Sequence, residues 1–218
     1  MTEQVPGTII VIAKTPRPGH VKTRLMPPLS AEEASAVAWA CLTDTLTAAA
    51  AVPSTRHVLL LAGEPGSWVP KGFDIVPQVD GGLGDRLAAG FAAVADDAIV
   101  IAMDTPQVDP SSLAHALRAL GSTHDAALGP AADGGYWLLG LRRGVPPGRV
   151  FEGIPMSTSH TGTAQLERLR DLGLSTLMLE TLRDVDEIDD LLGVAADHPT
   201  TQLGRLVREL VAPLRRDV

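Results

Sequence analysis

Lys14, Arg17, His20, Lys22 and Arg24 place five basic or potentially basic side chains within eleven residues, in the run Ala13-Lys14-Thr15-Pro16-Arg17-Pro18-Gly19-His20-Val21-Lys22-Thr23-Arg24-Leu25. No acid interrupts Gln4 to Ala31, although the whole chain has a formal net charge of −8. Like charge this dense is unfavourable unless an anion offsets it. Lysine supplies a point charge and arginine a fork that grips two oxygens, and Gly19 permits close backbone approach. In a strand–loop–helix setting the anion such a loop suits is the phosphate chain of a nucleotide. The plainer alternative is a solvated loop that binds nothing. Neither a Walker A order nor a Gly-x-Gly-x-x-Gly fingerprint is present.

Four further groups could share that chemistry. Asp104 ends the apolar run Ala98 to Met103. There it is either a turn former beside Pro106 or a hard oxygen ligand for Mg²⁺ or Mn²⁺, which would bridge phosphate oxygens. Asp184, Asp186, Glu187, Asp189 and Asp190 are five acids within seven residues. They read as a helix N-terminus or, more sharply, as a segment whose Asp186 reaches the metal held by Asp104. Asp133-Gly134-Gly135, before Tyr136 and Trp137, is a good hairpin turn. Its glycines also let a ligand approach, and Asp133 could hold a sugar hydroxyl, an acceptor or a metal-bound water. Gln78, with Gly81-Gly82-Leu83-Gly84-Asp85-Arg86, offers an amide for a base edge and glycines against which a base could lie; a plain loop before a helix is the alternative. His160 reads as a surface-loop histidine with no partner at metal-ligand spacing. No Gly-x-Ser-x-Gly elbow is present, which disfavours an α/β-hydrolase.

These groups need a scaffold, and the local patterns supply one. Thr8 to Ala13, His57 to Ala62, Phe73 to Pro77, Ala98 to Met103, Asp125 to Gly129, Tyr136 to Leu141 and a late Ser175 to Leu179 read as strands. Ser30-Ala31-Glu32-Glu33 is a capping box that starts a helix with Val37, Cys41, Leu42 and Leu46 on its apolar face. Leu83, Leu87, Phe91 and Val94 recur at helical spacing. Asp109-Pro110 caps the next helix, which runs to about Leu120. The loop from Gly144 to Pro155 reads as irregular, and helices follow near Thr163 to Leu172, Ile188 to Ala195 and Thr201 to Val211. Alternating strands and helices predict a mostly parallel sheet covered on both faces, with a small antiparallel element at Asp133–Gly135.

At 218 residues, 45% hydrophobic and 20% charged, the chain suits one domain over residues 1–218. Aromatics are 3% of residues, so the core must be built from aliphatic side chains. The lone Cys41 excludes an internal disulfide, fits a reducing cytoplasm and reads as a small buried hydrophobe. No apolar run near the N-terminus is long enough for a membrane span. An acidic chain with one local basic cluster argues against a nucleic-acid partner. The oligomeric state stays open, a homodimer included.

Taken in order, the motifs resemble the GT-A (nucleotide-diphospho-sugar transferase) superfamily, and more closely a bacterial family labelled as GT-A glycosyltransferases. Ala13 to Leu25 resembles its opening loop, Gly129 to Leu141 its Gly-Pro…Asp-Gly-Gly-Tyr element, and Phe151-Glu152-Gly153-Ile154-Pro155 also fits. The likeness implies a Rossmann-like three-layer α/β sandwich with a nucleotide across the carboxyl ends of the strands. It implies Asp104 as the metal-binding acid, Asp186 as a second one, and Gln78 with Gly82 to Gly84 at the base. The chain departs from the pattern at Ala102, where Gly is expected, at Met156, where Trp is usual, and at Glu187-Ile188, where Thr-Pro stands.

The basic loop also resembles that of 2-phospholactate guanylyltransferases. A nucleotidyltransferase expels pyrophosphate and must neutralise more charge than a sugar transferase, which favours nucleotidylyl transfer from an NTP to a phosphate or hydroxyl acceptor. On that reading Lys14, Arg17, Lys22 and Arg24 grip the phosphates, and Asp104 with Asp186 holds Mg²⁺ or Mn²⁺. Asp133, Gly134, Gly135, Tyr136 and Trp137 border a small-molecule acceptor. A glycosyltransferase using an NDP-sugar, and a nucleotide-binding module without catalysis, are the alternatives.

Overall fold

The computed structural model describes residues 4–211. In chain order it contains β1 (Val5–Lys14), a 3-10 turn (Thr23–Leu25), α1 (Ala31–Ala50), β2 (Ser54–Ala62), β3 (Phe73–Pro77), α2 (Leu83–Val94), β4 (Ala98–Ala102) and α3 (Pro110–Ala119). Then come β5 (Ala126–Pro130), β6 (Tyr136–Leu141), α4 (Pro147–Phe151), α5 (Thr161–Asp171), β7 (Thr176–Met178), α6 (Ile188–Asp197) and α7 (Gln202–Val211). The strands form one seven-stranded sheet in the order β3-β2-β1-β4-β6-β5-β7. Among the described strands only β6 runs against its neighbours, β4 and β5.

Strand alternation divides the core into the expected layers. Ile9, Val11 and Ala13 of β1 face α1 and α3 through Leu42, Leu46, Leu113 and Leu117. Ile10 points the other way, to Leu87 and Phe91 of α2 and to Phe151 and Leu169. Placing α1 and α2 on opposite faces follows from right-handed crossovers that run in opposite directions along the sheet, β1 to β2 through α1 and β3 to β4 through α2. That reversal makes the gap between the carboxyl ends of β1 and β4 a topological switch point, where open α/β sheets hold their ligands. The basic loop leaves one side of the gap and Asp104 the other.

Two details depart from the local reading. The sequence predicts one apolar face on α1; the structure buries two. Leu42 and Leu46 meet the sheet, while Val37 and Cys41 meet α6 and α7 through Leu191, Val194, Leu203 and Val207. Complete burial pushes the Cys41 thiol pKa up to about 12, so it packs as a small hydrophobe. The predicted irregular loop 144–155 contains α4, a five-residue helix. It is too short to show a period and is held by Val150 and Phe151 packing against the α2 side of the sheet.

Ser30 caps α1 as predicted: its hydroxyl accepts from Glu33 N at 3.2 Å, and Glu33 Oε2 accepts from Ser30 N at 2.8 Å. Ser30→Ala is expected to lower stability by about 1 kcal/mol in urea denaturation without changing nucleotide binding. A loss of binding would place this cap in the site rather than in the scaffold. Among the described residues no helix is long and apolar enough to cross a membrane.

Candidate active site

Lys22 is the centre of the arrangement. Its Nζ lies 3.0 Å from Asp104 Oδ2 and 2.8 Å from Asp186 Oδ1, and its side chain is only 7% exposed. Arg24 adds a contact to Asp186 Oδ2 at 3.4 Å. Burial alone would lower the Lys22 pKa, but the Asp104 and Asp186 charges outweigh it and hold the ammonium above its ordinary value. Lys22 also has φ 48°, the left-handed region, in the residue before the 3-10 turn. A non-glycine residue there is strained, and such strain clusters at functional sites.

The carboxylates come together for a traceable reason. Val185 N donates to Asp104 O at 3.0 Å, pinning the 184–186 segment to the end of β4. Val185 is fully buried against α1 and α6, whereas the flanking Asp184 and Asp186 both line the cleft. The acid-apolar-acid alternation is thus an extended segment with its middle residue in the core.

Lys14, His20, Lys22, Arg24, Asp104, Asp133, Tyr136 and Asp186 all line one cleft of about 700 Å³ across the carboxyl edge of the sheet. The remaining sequence candidates have other surroundings. Arg17 is exposed on the turn and lies outside the cleft lining. Gly19 has φ +75° in that same turn, a conformation that favours glycine, and lies outside the lining too. Gln78 lines the cleft but directs both amide donors into the protein, at Ala13 O and Leu60 O. Gly82 and Gly84 border a second cavity of about 600 Å³, which meets the cleft at Leu83 and Met156. Gly84 packs against Phe151 and Met156. Asp133 Oδ1 accepts from Gly135 N at 2.7 Å, so it forms the turn and faces the cleft together. Gly134 packs under Ser159, while Gly135 lines the cleft. Trp137 borders the cleft but is 2% exposed, and its indole donates to Glu180 O at 3.0 Å. Burial raises the Tyr136 phenol pKa. Its hydroxyl lies 3.9 Å from the sulfur of Met156, the residue standing where the resemblance expects Trp.

Two groups were missed in the sequence. Thr105 is 1% exposed, lines the cleft beside Asp104, and its Oγ1 has no hydrogen-bond partner among the described residues. No sequence signal marks it. Asp184 was visible only as a member of an acid run. Burial first, then the charges of Asp133, Asp104 and Asp186, push its pKa from 3.8 to about 6. Between pH 4 and 6 the folded state holds this proton while the unfolded chain has released it. Stability therefore falls as pH rises through that window. In EDTA, Asp184→Asn is expected to flatten this part of the stability–pH curve and to raise stability at pH 7. An unchanged slope would show that the carboxyl is not held in this field.

The donor set fits a hard divalent cation. Asp104 Oδ2 and Asp186 Oδ1 converge on one point, that of Nζ, and Asp184 stands nearby with its charge disfavoured. No cluster of three or more acidic, Cys or His ligands is preformed among the described residues. Mg²⁺ in nucleotide enzymes commonly takes one or two carboxylates and completes its shell with phosphate oxygens and water.

Fold and cleft together define a GT-A-type nucleotide-dependent transferase. The chain belongs to the family described as "uncharacterized protein conserved in bacteria (DUF2064)", whose pattern matches residues 37–158. It is 31% identical to a phosphoenolpyruvate guanylyltransferase of Roseiflexus sp. (strain RS-1), over 87% of this chain and 86% of that one. It is 29% identical to the enzyme of the same description from Roseiflexus castenholzii, over 88% and 90% of the two chains. A crystal structure from Desulfovibrio desulfuricans G20, provisionally assigned as a nucleotide-diphospho-sugar transferase, superposes with TM-score 0.87 at 25% identity, covering 96% of this chain and 97% of that one.

Proposed function

We propose that the protein is a divalent-metal-dependent guanylyltransferase, transferring the GMP moiety of GTP to a small phosphorylated acceptor with release of pyrophosphate. The observation that carries the reading is the Lys22 ammonium held between Asp104 and Asp186 in a cleft that also takes Lys14 from the end of β1 and Arg24 from the loop after it. The guanylyltransferase relatives support it and make phosphoenolpyruvate the first acceptor to try.

In the reaction an acceptor phosphate oxygen attacks the α-phosphorus. A new P–O bond forms, the bond to the α–β bridging oxygen breaks, and pyrophosphate leaves with that electron pair. A phosphate acceptor is already an anion, so no general base is required. Lys14, Lys22 and Arg24 grip the phosphates and offset charge growing on the leaving group. The Asp133–Tyr136 edge borders the acceptor, on the β6 side of the phosphates. When bound by Asp104 and Asp186, Mg²⁺ or Mn²⁺ would neutralise phosphate charge and act as a Lewis acid.

A sugar-transfer reading rests on the likeness to the Desulfovibrio structure. The two separate cleanly by product. With GTP, phosphoenolpyruvate and Mg²⁺, guanylyl transfer yields pyrophosphate and a guanylylated acceptor. Release of a nucleoside diphosphate from a sugar nucleotide, with no pyrophosphate from any triphosphate, would overturn the proposal.

A further inference from the structure

The β3 end of the cleft holds a polar pair whose geometry differs from what the sequence suggests. Gln78 follows β3, and its backbone N donates to Leu61 O at 2.9 Å. Its side-chain nitrogen donates to Ala13 O at 2.8 Å and Leu60 O at 3.0 Å. A primary amide has two N–H donors, so both are occupied and the group cannot rotate without losing them. The amide oxygen is thereby fixed as an acceptor and faces Arg86. Arg86 Nη1 donates to Gln78 Oε1 at 3.4 Å, and Arg86 Nε donates to Gly81 O at 3.1 Å. A guanidinium carries five N–H donors; with two engaged, three have no partner among the described residues.

Those donors belong to a residue that lines the cleft beside Ile12, Ala13 and Leu83. The other basic residues lining it, Lys14, His20, Lys22 and Arg24, come from the end of β1 and the loop after it. In the sheet order, Arg86 and Gln78 stand on the β3 side of the switch point, and Asp133 and Tyr136 on the β6 side. Phosphates at the loop and an acceptor at the β6 side leave the β3 side for the base. It has what a base needs: apolar walls and a few fixed polar groups.

We propose that Arg86, aimed by Gln78, selects the base, and that it reads the acceptor edge of guanine. Guanine presents O6 and N7 side by side, which a guanidinium matches with two parallel donors. Adenine presents an N6 amino donor beside N7, so a donor meets a donor and one stays unpaired. Arg86 is the group that touches the base; Gln78 is a positioning residue acting through it. The inference rests on the guanylyl-transfer reading and supplies its base specificity.

The experiment measures binding of GTP, 7-deaza-GTP and ATP to the full chain in Mn²⁺, by titration calorimetry, with inorganic pyrophosphate as a probe of the phosphate end. Wild type is expected to prefer GTP over 7-deaza-GTP by about tenfold, and over ATP by on the order of ten- to a hundredfold. Arg86→Lys keeps the charge and loses the fork. The GTP to 7-deaza-GTP ratio should fall to near one while pyrophosphate binding holds, and Arg86→Met should do the same. Gln78→Leu should shrink the ratio with Arg86 still present, which a merely structural role would not do. Unchanged pyrophosphate binding certifies that each variant is folded. Arg86 variants that keep the wild-type ratio, or a wild type indifferent to N7, overturn the assignment of Arg86. A wild type that binds no nucleoside triphosphate overturns the proposed function itself, and this inference with it.

Discussion

Lys22→Ala is expected to lower turnover by on the order of 10²–10³, by analogy with loss of one preorganised oxyanion-stabilising donor. The same change should lower stability in metal-free buffer. The ammonium is nearly buried and touches two carboxylates, so its removal leaves Asp104 and Asp186 facing one space with only the exposed Arg24 beside Asp186. Breaking a fully buried pair costs about 3–5 kcal/mol. Asp104 and Asp186 keep 28% and 34% of their side-chain surface, so solvent screening reduces this to about 1–2 kcal/mol. Lys22→Met, which retains most of the buried stem, separates lost packing from lost charge. If the two carboxylates are the cation site, Mn²⁺ should stabilise Lys22→Met more than wild type, because no ammonium competes for the same oxygens. Near wild-type turnover in Lys22→Ala would remove Lys22 from the mechanism. Equal Mn²⁺ stabilisation of both proteins would remove the competition, and with it the shared position.

Gly134→Ala should have the largest effect on folding. Gly134 has φ +91°, and a Cβ there would run into the Ser159 carbonyl. The contact is with backbone, so no side-chain rotation relieves it. Left-handed strain and overpacking together imply a loss of about 3 kcal/mol or more in denaturant unfolding. Gly19→Ala is the matched control. It too has positive φ, +75°, but nothing lies within 4 Å of its Cβ direction, so only the backbone cost of about 1 kcal/mol should appear. Activity should fall as well. Gly134 O accepts from Gly162 N at 2.8 Å, tying the Asp133–Gly135 turn to the start of α5 and the 157–161 loop along the cleft. Equal stability of the two variants would refute the close packing of turn and loop.

How much was legible in the sequence follows the range of the forces involved. The Ser30 and Glu33 capping box, Pro110 at the start of α3 and the alternation in β1 are decided within a few residues, and each stands in the fold where local rules put it. The helix α4 was hidden because its five residues are held by distant contacts of Phe151 rather than by their own period. Gln78 was correctly placed at the cleft. Its chemistry depended on carbonyls of β1 and β2, 65 and 18 residues away, which turn the amide inward. Asp184 looked like one acid among five. Only burial in the folded cleft, with the Asp133, Asp104 and Asp186 charges beside it, sets its proton affinity.

The sequence by itself determined the alternating α/β architecture, the cationic loop and the acid at the end of β4, because periodicity, capping and charge density are written in neighbouring residues. The tertiary structure alone decided which charges meet. Lys22 joins Asp104 across 82 residues and Asp186 across 164. That pairing exists because the strand order sets β1 beside β4 and Val185 is drawn into the core, a result of burial summed over the whole sheet that no local pattern encodes.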